Sequence, residues 1–158
     1  PQDPFLHKFM GIILQKKGDN KRAVNHYLYC LSKSPNDPEI LNNLSVALIS
    51  QKRFKEAKEY LTRALAENQV YPDALGNMGL LLARTGNPDE AIVYFNKVLQ
   101  LNPKNAAYHN ILGLLLLDRK MTRDAIEHFQ KALEIEPGMH EARLNLQRAL
   151  AMTKPHQP

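Results

Sequence analysis

Six histidines, one cysteine and a scatter of serines are the groups through which this chain could do chemistry. Imidazoles ligate metals and move protons, and a thiolate attacks or ligates. Zinc chemistry needs two histidines one helical turn apart, as in HExxH, or Cys and His at finger spacing. His7, His26, His109, His128, His140 and His156 show neither pattern. His7 and His109 occupy one position of a repeating frame, so they read as a repeat position and not as a ligand pair. His26 and His128 lie close to one another in that frame and are expected on exposed sides of helices. Cys30 replaces a packing alanine and reads as a small buried hydrophobe. Ser45 stands where glycine stands elsewhere, which makes it a packing residue before a nucleophile. The glycines are spread at repeat spacing and build no phosphate-cradling loop. The expectation is a chain without catalysis, metal or cofactor.

The frame has a period of 34 residues. "MGIILQKKGDNKRAVNHY" (10–27) and "MGLLLARTGNPDEAIVYF" (78–95) match at Gly11/Gly79, Gly18/Gly86 and Ala23/Ala91. Repeats of this length should be sought before anything else. Four in register, 4–37, 38–71, 72–105 and 106–139, carry Gly11, Ser45, Gly79 and Gly113 at one position and Ala23, Ala57, Ala91 and Ala125 at another. Tyr27, Leu61, Phe95 and Phe129 follow, then Cys30, Ala64, Val98 and Ala132. Pro35, Pro103 and Pro137 close three of the four, with Gln69 in the second.

Each repeat predicts two helices. In the third, Asp73 is a candidate N-cap, apolar residues recur at 75, 78, 79, 82 and 83, and Gly86-Asn87-Pro88 breaks the run. A second apolar series at 91, 92, 95, 98 and 99 ends at Asn102-Pro103. Gly11 and Ala23 are small because the two helices should cross near them. Tyr27 and its equivalents should fill the gap to the next repeat. Gly18 sits in the turn, where a positive φ costs it little. Lys52 and Lys120 replace that glycine, so their turns are expected to take another conformation. Residues 140–153 predict an added amphipathic helix that caps the last repeat; 154–158 read as a disordered tail.

The period, the small–Ala–aromatic–Ala–Pro pattern and the paired helices resemble tetratricopeptide repeats. The resemblance covers 4–139 and departs from the family in its early Trp, replaced by His7, Leu41, Leu75 and His109. It implies an all-α solenoid, a right-handed superhelix of four helix-turn-helix repeats plus the capping helix. It further implies a concave groove lined by the first helix of each repeat. Transferred residue by residue, the groove includes Lys8, Phe9, Ile12, Asn42, Asn43, Val46, Asn77, Leu80, Arg84, Asn110, Ile111, Leu114 and Asn145. Asn43, Asn77 and Asn145 share one register, with Asn42 and Asn110 one residue earlier, which resembles the asparagine ladder in the repeat region of O-GlcNAc transferase. Amides donate and accept, so such a row can hold the backbone of an extended peptide. The other reading is that these amides bond between neighbouring repeats. The carboxylate clamp of chaperone-binding repeat proteins matches only at Lys8 and Asn43; Ile12, Asp73 and Asn77 depart from it.

The expected function is therefore a protein-interaction module that binds a protein or peptide segment. Two alternatives stay open: the substrate-recognition part of a larger enzyme such as a glycosyltransferase, or a scaffold that self-associates through its terminal helices. The net charge of +5 is modest. Basic residues gather at three turns, Lys16-Lys17 with Lys21-Arg22, Lys52-Arg53 with Lys55, and Arg119-Lys120 with Arg123, but without the aromatics that single-stranded nucleic acid stacks on. No nucleic-acid partner is expected. The longest apolar run, "ILGLLLL" at 111–117, is too short to span a bilayer, and no leader pattern opens the chain. A soluble chain is expected, with no compartment assigned. The absence of an initiator Met reads as a processed or excised chain.

Overall fold

The computed structural model describes residues 3–153. Among them are nine helices and no strand: α1 (Pro4–Lys16), α2 (Asn20–Lys33), α3 (Pro38–Ser50), α4 (Phe54–Glu67), α5 (Pro72–Arg84), α6 (Pro88–Leu101), α7 (Ala106–Asp118), α8 (Thr122–Ile135) and α9 (His140–Thr153). They fall into two compact parts, one ending at Thr85 and one beginning at Gly86. His156 and the expected tail at 154–158 lie outside the described residues.

Local chemistry sets the helix starts. Asp3, Asp37 and Asn105 precede α1, α3 and α7, and their side chains accept from backbone N–H groups of the first turn, satisfying donors that the helix itself leaves open. Proline opens α1, α3, α5 and α6, where its missing N–H is no loss. The expected cap at Asp73 is not made: α5 starts at Pro72 with Tyr71 as its cap residue, so Asp73 lies within the first turn. There it still complements the helix dipole.

In the first part, α1 packs on α2, α2 on α3, α3 on α4 and α4 on α5; α1 and α5 also touch α3. In the second, α6 packs on α7, α7 on α8 and α8 on α9, and α9 also touches α7. In the first part α2 and α4 each lie between two first helices, and in the second part α8 does. A methyl group at Gly11 would come within 2.5 Å of the Tyr27 ring, and one at Gly113 within 2.6 Å of Phe129. Tyr27 and Phe129 are fully buried. The close crossing expected at Gly11 is thus made by a large ring of the same repeat, in addition to the gap that ring was expected to fill toward the next repeat.

The turns after α3 and α7 correct another expectation. Lys52 and Lys120 take φ values of 60° and 61°, the same left-handed region as Gly18 and Gly86 at 81° and 80°. The closing bonds are shared as well. Gly18 N–H donates to Gln15 and Asp19 N–H to Leu14; Lys52 N–H donates to Ile49 and Arg53 N–H to Leu48. The pair of backbone bonds that ends the helix outweighs the steric cost of a side chain at positive φ. Past the last turn, Ala142 of α9 is buried with Ala106 and Ala132, flanked by Leu133 and Met139.

Candidate peptide-binding face

The groove residues expected from the repeat register fall on α1, α3 and α5 in the first part and on α7 and α9 in the second. In the first part, Ile12 and Asn43 come together in a depression of about 510 Å³, lined also by Gln15, Lys16 and Glu39. Tyr27, whose hydroxyl donates to Gln15 Oε1 at 2.7 Å, fixes that amide from behind. Burial pushes the Tyr27 phenol up to about 12, with Cys30 and Glu39 adding to the shift, so it stays a donor across the physiological range. Lys8 and Glu39 form an ion pair across α1 and α3. Phe9 is 46% exposed and its ring meets Phe5 edge-on, 4.5 Å between centroids. Val46, Asn77 and Leu80 are half-buried, and Arg84 is exposed with its guanidinium 5.4 Å over the Phe54 ring.

The asparagines divide into two kinds. Asn77 Nδ2 donates to Asn42 Oδ1 at 2.8 Å, joining α5 to α3. Asn145 Nδ2 donates to Asn110 Oδ1 at 3.0 Å, joining α9 to α7. Asn42, Asn110 and Asn145 are buried. An open placement for Asn110 is therefore overturned: its oxygen serves a bond between neighbouring helices. Asn43 is half-exposed in the depression. Ile111 and Leu114 are half-buried on α7.

Three family-level observations match this architecture. Tetratricopeptide-repeat models align with residues 14–72 and 48–115, and another with 106–139. The chain belongs to the tetratricopeptide repeat family. Solved structures of the same all-α helical-repeat solenoid include MamA (23% identity, TM-score 0.85, 94% of this chain and 81% of that one). Another is YrrB, described as a TPR protein with an unusual peptide-binding site (20% identity, TM-score 0.82, 96% and 78%). A third is PilF of Pseudomonas aeruginosa (23% identity, TM-score 0.87, 96% and 69%). Comparison with curated protein sequences gives no match.

The other chemistry-bearing residues of the repeats have structural partners. His26 and His128 are not on exposed sides of their helices. His26 Nδ1 lies 3.1 Å from His7 Nδ1, and His128 Nδ1 lies 2.9 Å from His109 Nδ1. His109 Nε2 is 3.0 Å from the Pro103 carbonyl oxygen, which only accepts. The neutral His109 ring thus carries its proton on Nε2, and His128 Nδ1–H donates to the bare His109 Nδ1. Burial, reinforced by His109 and Lys131, lowers the His128 pKa to about 4. Each pair spans 19 residues, and that recurrence was a readable signal that the separate treatment of first-helix and second-helix histidines missed. Among the described residues no three His, Cys, Asp or Glu side chains gather to hold a metal. Cys30 is buried and its thiol donates to the Pro4 carbonyl oxygen at 3.3 Å; burial pushes its pKa up. The basic turns are partly neutralised: Arg53 grips Glu56 through two bonds of 2.7 and 2.6 Å, and Arg119 pairs with Asp89. No described helix is long and apolar enough to cross a membrane.

Proposed function

We propose that this protein is a non-catalytic interaction module that binds an extended peptide segment along its first helices. The observation that carries the reading is the depression between α1 and α3, where an apolar side chain, Ile12, adjoins two amides, Gln15 and Asn43. An extended segment offers alternating side chains and unpaired backbone groups. Ile12, Phe9, Val46 and Leu80 suit the first, and Asn43 suits the second, as do the N–H and oxygen of Asn77 left over from its bond to Asn42. In the second part Ile111 and Leu114 continue the apolar theme on α7. Lys8 is neutralised by Glu39, so a carboxylate-gripping role is weak, in line with the departures from the chaperone clamp. The peptide site ascribed to YrrB on a similar fold lends support. The asparagine ladder of O-GlcNAc transferase remains a narrower parallel, reduced here to Asn43 and the spare capacity of Asn77. In this reading the repeats run 4–37, 38–71, 72–105 and 106–139, each contributing its first helix, and no nucleic acid or membrane takes part.

The test is calorimetric titration with a peptide selected from a random library against the parent. Asn43→Ala removes a bond to a main-chain group and should cost roughly 0.5–1.5 kcal/mol of affinity. Circular dichroism checks folding. Unchanged affinity in folded Asn43→Ala and Ile12→Ala variants would sink the reading.

A further inference from the structure

The depression between α1 and α3 is chemically one-sided. Tyr27 O–H donates to Gln15 Oε1, while the Gln15 Nε2–H donors have no partner among the described residues. Lys16 beside it is exposed and makes no ion pair among the described residues. Glu39, the carboxylate of the lining, is taken by Lys8. The capacity left over is an ammonium and an amide N–H pair, with Asn43 able to donate or accept. All five lining residues border the gap between α1 and α3, so the lining does not depend on what precedes α1.

Two repeats on, the same register holds Arg84 at the end of α5, with Ser50 between them at the end of α3. α3 touches both α1 and α5. Arg84 is exposed with its guanidinium over the Phe54 ring, and it makes no ion pair among the described residues. Ser50 is neutral, and its hydroxyl donates to the Val46 carbonyl oxygen at 3.1 Å. This edge therefore presents cation, hydroxyl, cation. The opposite ends of α3 and α5 carry Glu39 and Asp73 in their first turns, so a bound acid is steered toward Lys16 and Arg84. Both cations complement the dipoles of their own helices, yet their charged heads remain without a carboxylate.

Packed helices lie about 8–10 Å apart, which puts Lys16 and Arg84 about 16–20 Å apart across three helices. An extended chain rises about 3.3 Å per residue and returns a side chain to the same side every second residue. We propose that the segment held by this face is acidic, with two carboxylate side chains about six residues apart, one on Lys16 and the Gln15 amide and one on Arg84. The proposal rests on the groove reading above and supplies the chemistry of its ligand. A single-stranded nucleic acid suits the edge less well, because it carries a charge at every nucleotide and the edge sets a neutral hydroxyl between its two cations.

The probes are phage-displayed random dodecapeptides, panned on the full chain and on its Lys16→Glu, Arg84→Glu double variant. Both side chains are exposed, so the variant should keep the parent's circular dichroism. Peptides recovered on the parent should carry Asp or Glu six residues apart, and those recovered on the variant should carry Lys or Arg at that spacing. In fluorescence anisotropy the most enriched parent peptide should bind the double variant about tenfold more weakly. That loss should shrink in 1 M salt, where the screening length is about 3 Å. Parent-selected peptides without the paired acids overturn the proposal. So does affinity that ignores the double reversal while Ile12→Ala and Asn43→Ala still weaken it, an outcome that leaves the groove reading standing. Displacement of the peptide by oligothymidylate at equal total charge also overturns it, because the edge would then answer to any polyanion. No enrichment on the parent, or affinity indifferent to all four substitutions, overturns the groove reading as well.

Discussion

Replacing Gly113 by alanine sets two known effects against each other. Alanine is the better helix former by about 1 kcal/mol, so at an open helical site the change would stabilise. At Gly113 the added Cβ would stand 2.6 Å from Phe129 Cε1, 2.8 Å from Cδ1 and 3.0 Å from Cζ. Comfortable carbon contacts are about 3.5–4.0 Å, so the ring must retreat by roughly 1 Å. Phe129 is fully buried, so its neighbours must move with it. Overpacking of this kind costs about 1–3 kcal/mol, which exceeds the propensity gain over most of its range. The net expectation is a loss of up to about 2 kcal/mol, or roughly 2–4 °C of Tm per kcal/mol for a chain of this size. Urea unfolding should report a lower midpoint at unchanged slope. Adding Phe129→Leu should be far less damaging in the Gly113→Ala background than in the parent, because the smaller side chain relieves the overlap. A Gly113→Ala variant as stable as the parent, or more so, refutes the close-crossing argument.

Further expectations concern the turns, the histidines and the buried amides. Lys120→Gly should raise the unfolding free energy by about 1 kcal/mol, read as a higher urea midpoint at unchanged slope, because it removes the cost of a side chain at φ 61°; a lower midpoint would mean that the lysine side chain contributes something the backbone geometry does not. His128 has a folded pKa of about 4 against 6.5 when free, so the unfolded chain takes up a proton that the folded one refuses. Its contribution is complete above about pH 6.5 and is lost as pH falls toward 4, by about 1–2 kcal/mol after allowance for partial exposure. The parent's urea midpoint should therefore fall more steeply over that window than that of His128→Gln, and parallel profiles would count against the buried neutral pair. Asn110→Ala should cost about 1–3 kcal/mol of stability by stranding Asn145 Nδ2, and a neutral result would show that water replaces the lost acceptor.

The helices were legible because each signal is local or strictly periodic. Asp37 before Pro38, Gly18 after Lys17, and small residues facing large ones at a fixed offset need no tertiary knowledge. What escaped the sequence reading depends on contacts between helices. The amide bonds link residues 35 apart, one more than the period, so a strict 34-residue comparison placed Asn77 beside Asn43 and not on Asn42. The histidine pairs cross a helix hairpin, where the frame groups residues by position and hides partners. The left-handed lysines escaped because glycine's steric advantage is a preference of about 1–2 kcal/mol, which two closing backbone bonds can override. Of the proposed site, register alone sufficed to expect Ile12 and Asn43 on neighbouring first helices, where they line one depression; which amides are engaged elsewhere depends on the bonds among them.

Amide chemical-shift mapping of the isotopically labelled protein with a library-selected peptide decides whether peptide lies along the first helices. The largest shifts should fall at Ile12, Gln15, Lys16, Glu39 and Asn43, extending to Asn77 and Leu80, and Lys52→Glu with Lys55→Glu should change affinity little and mainly at low salt. Shifts confined to the turns around Lys52 and Lys120, with binding lost on that charge reversal, would contradict it.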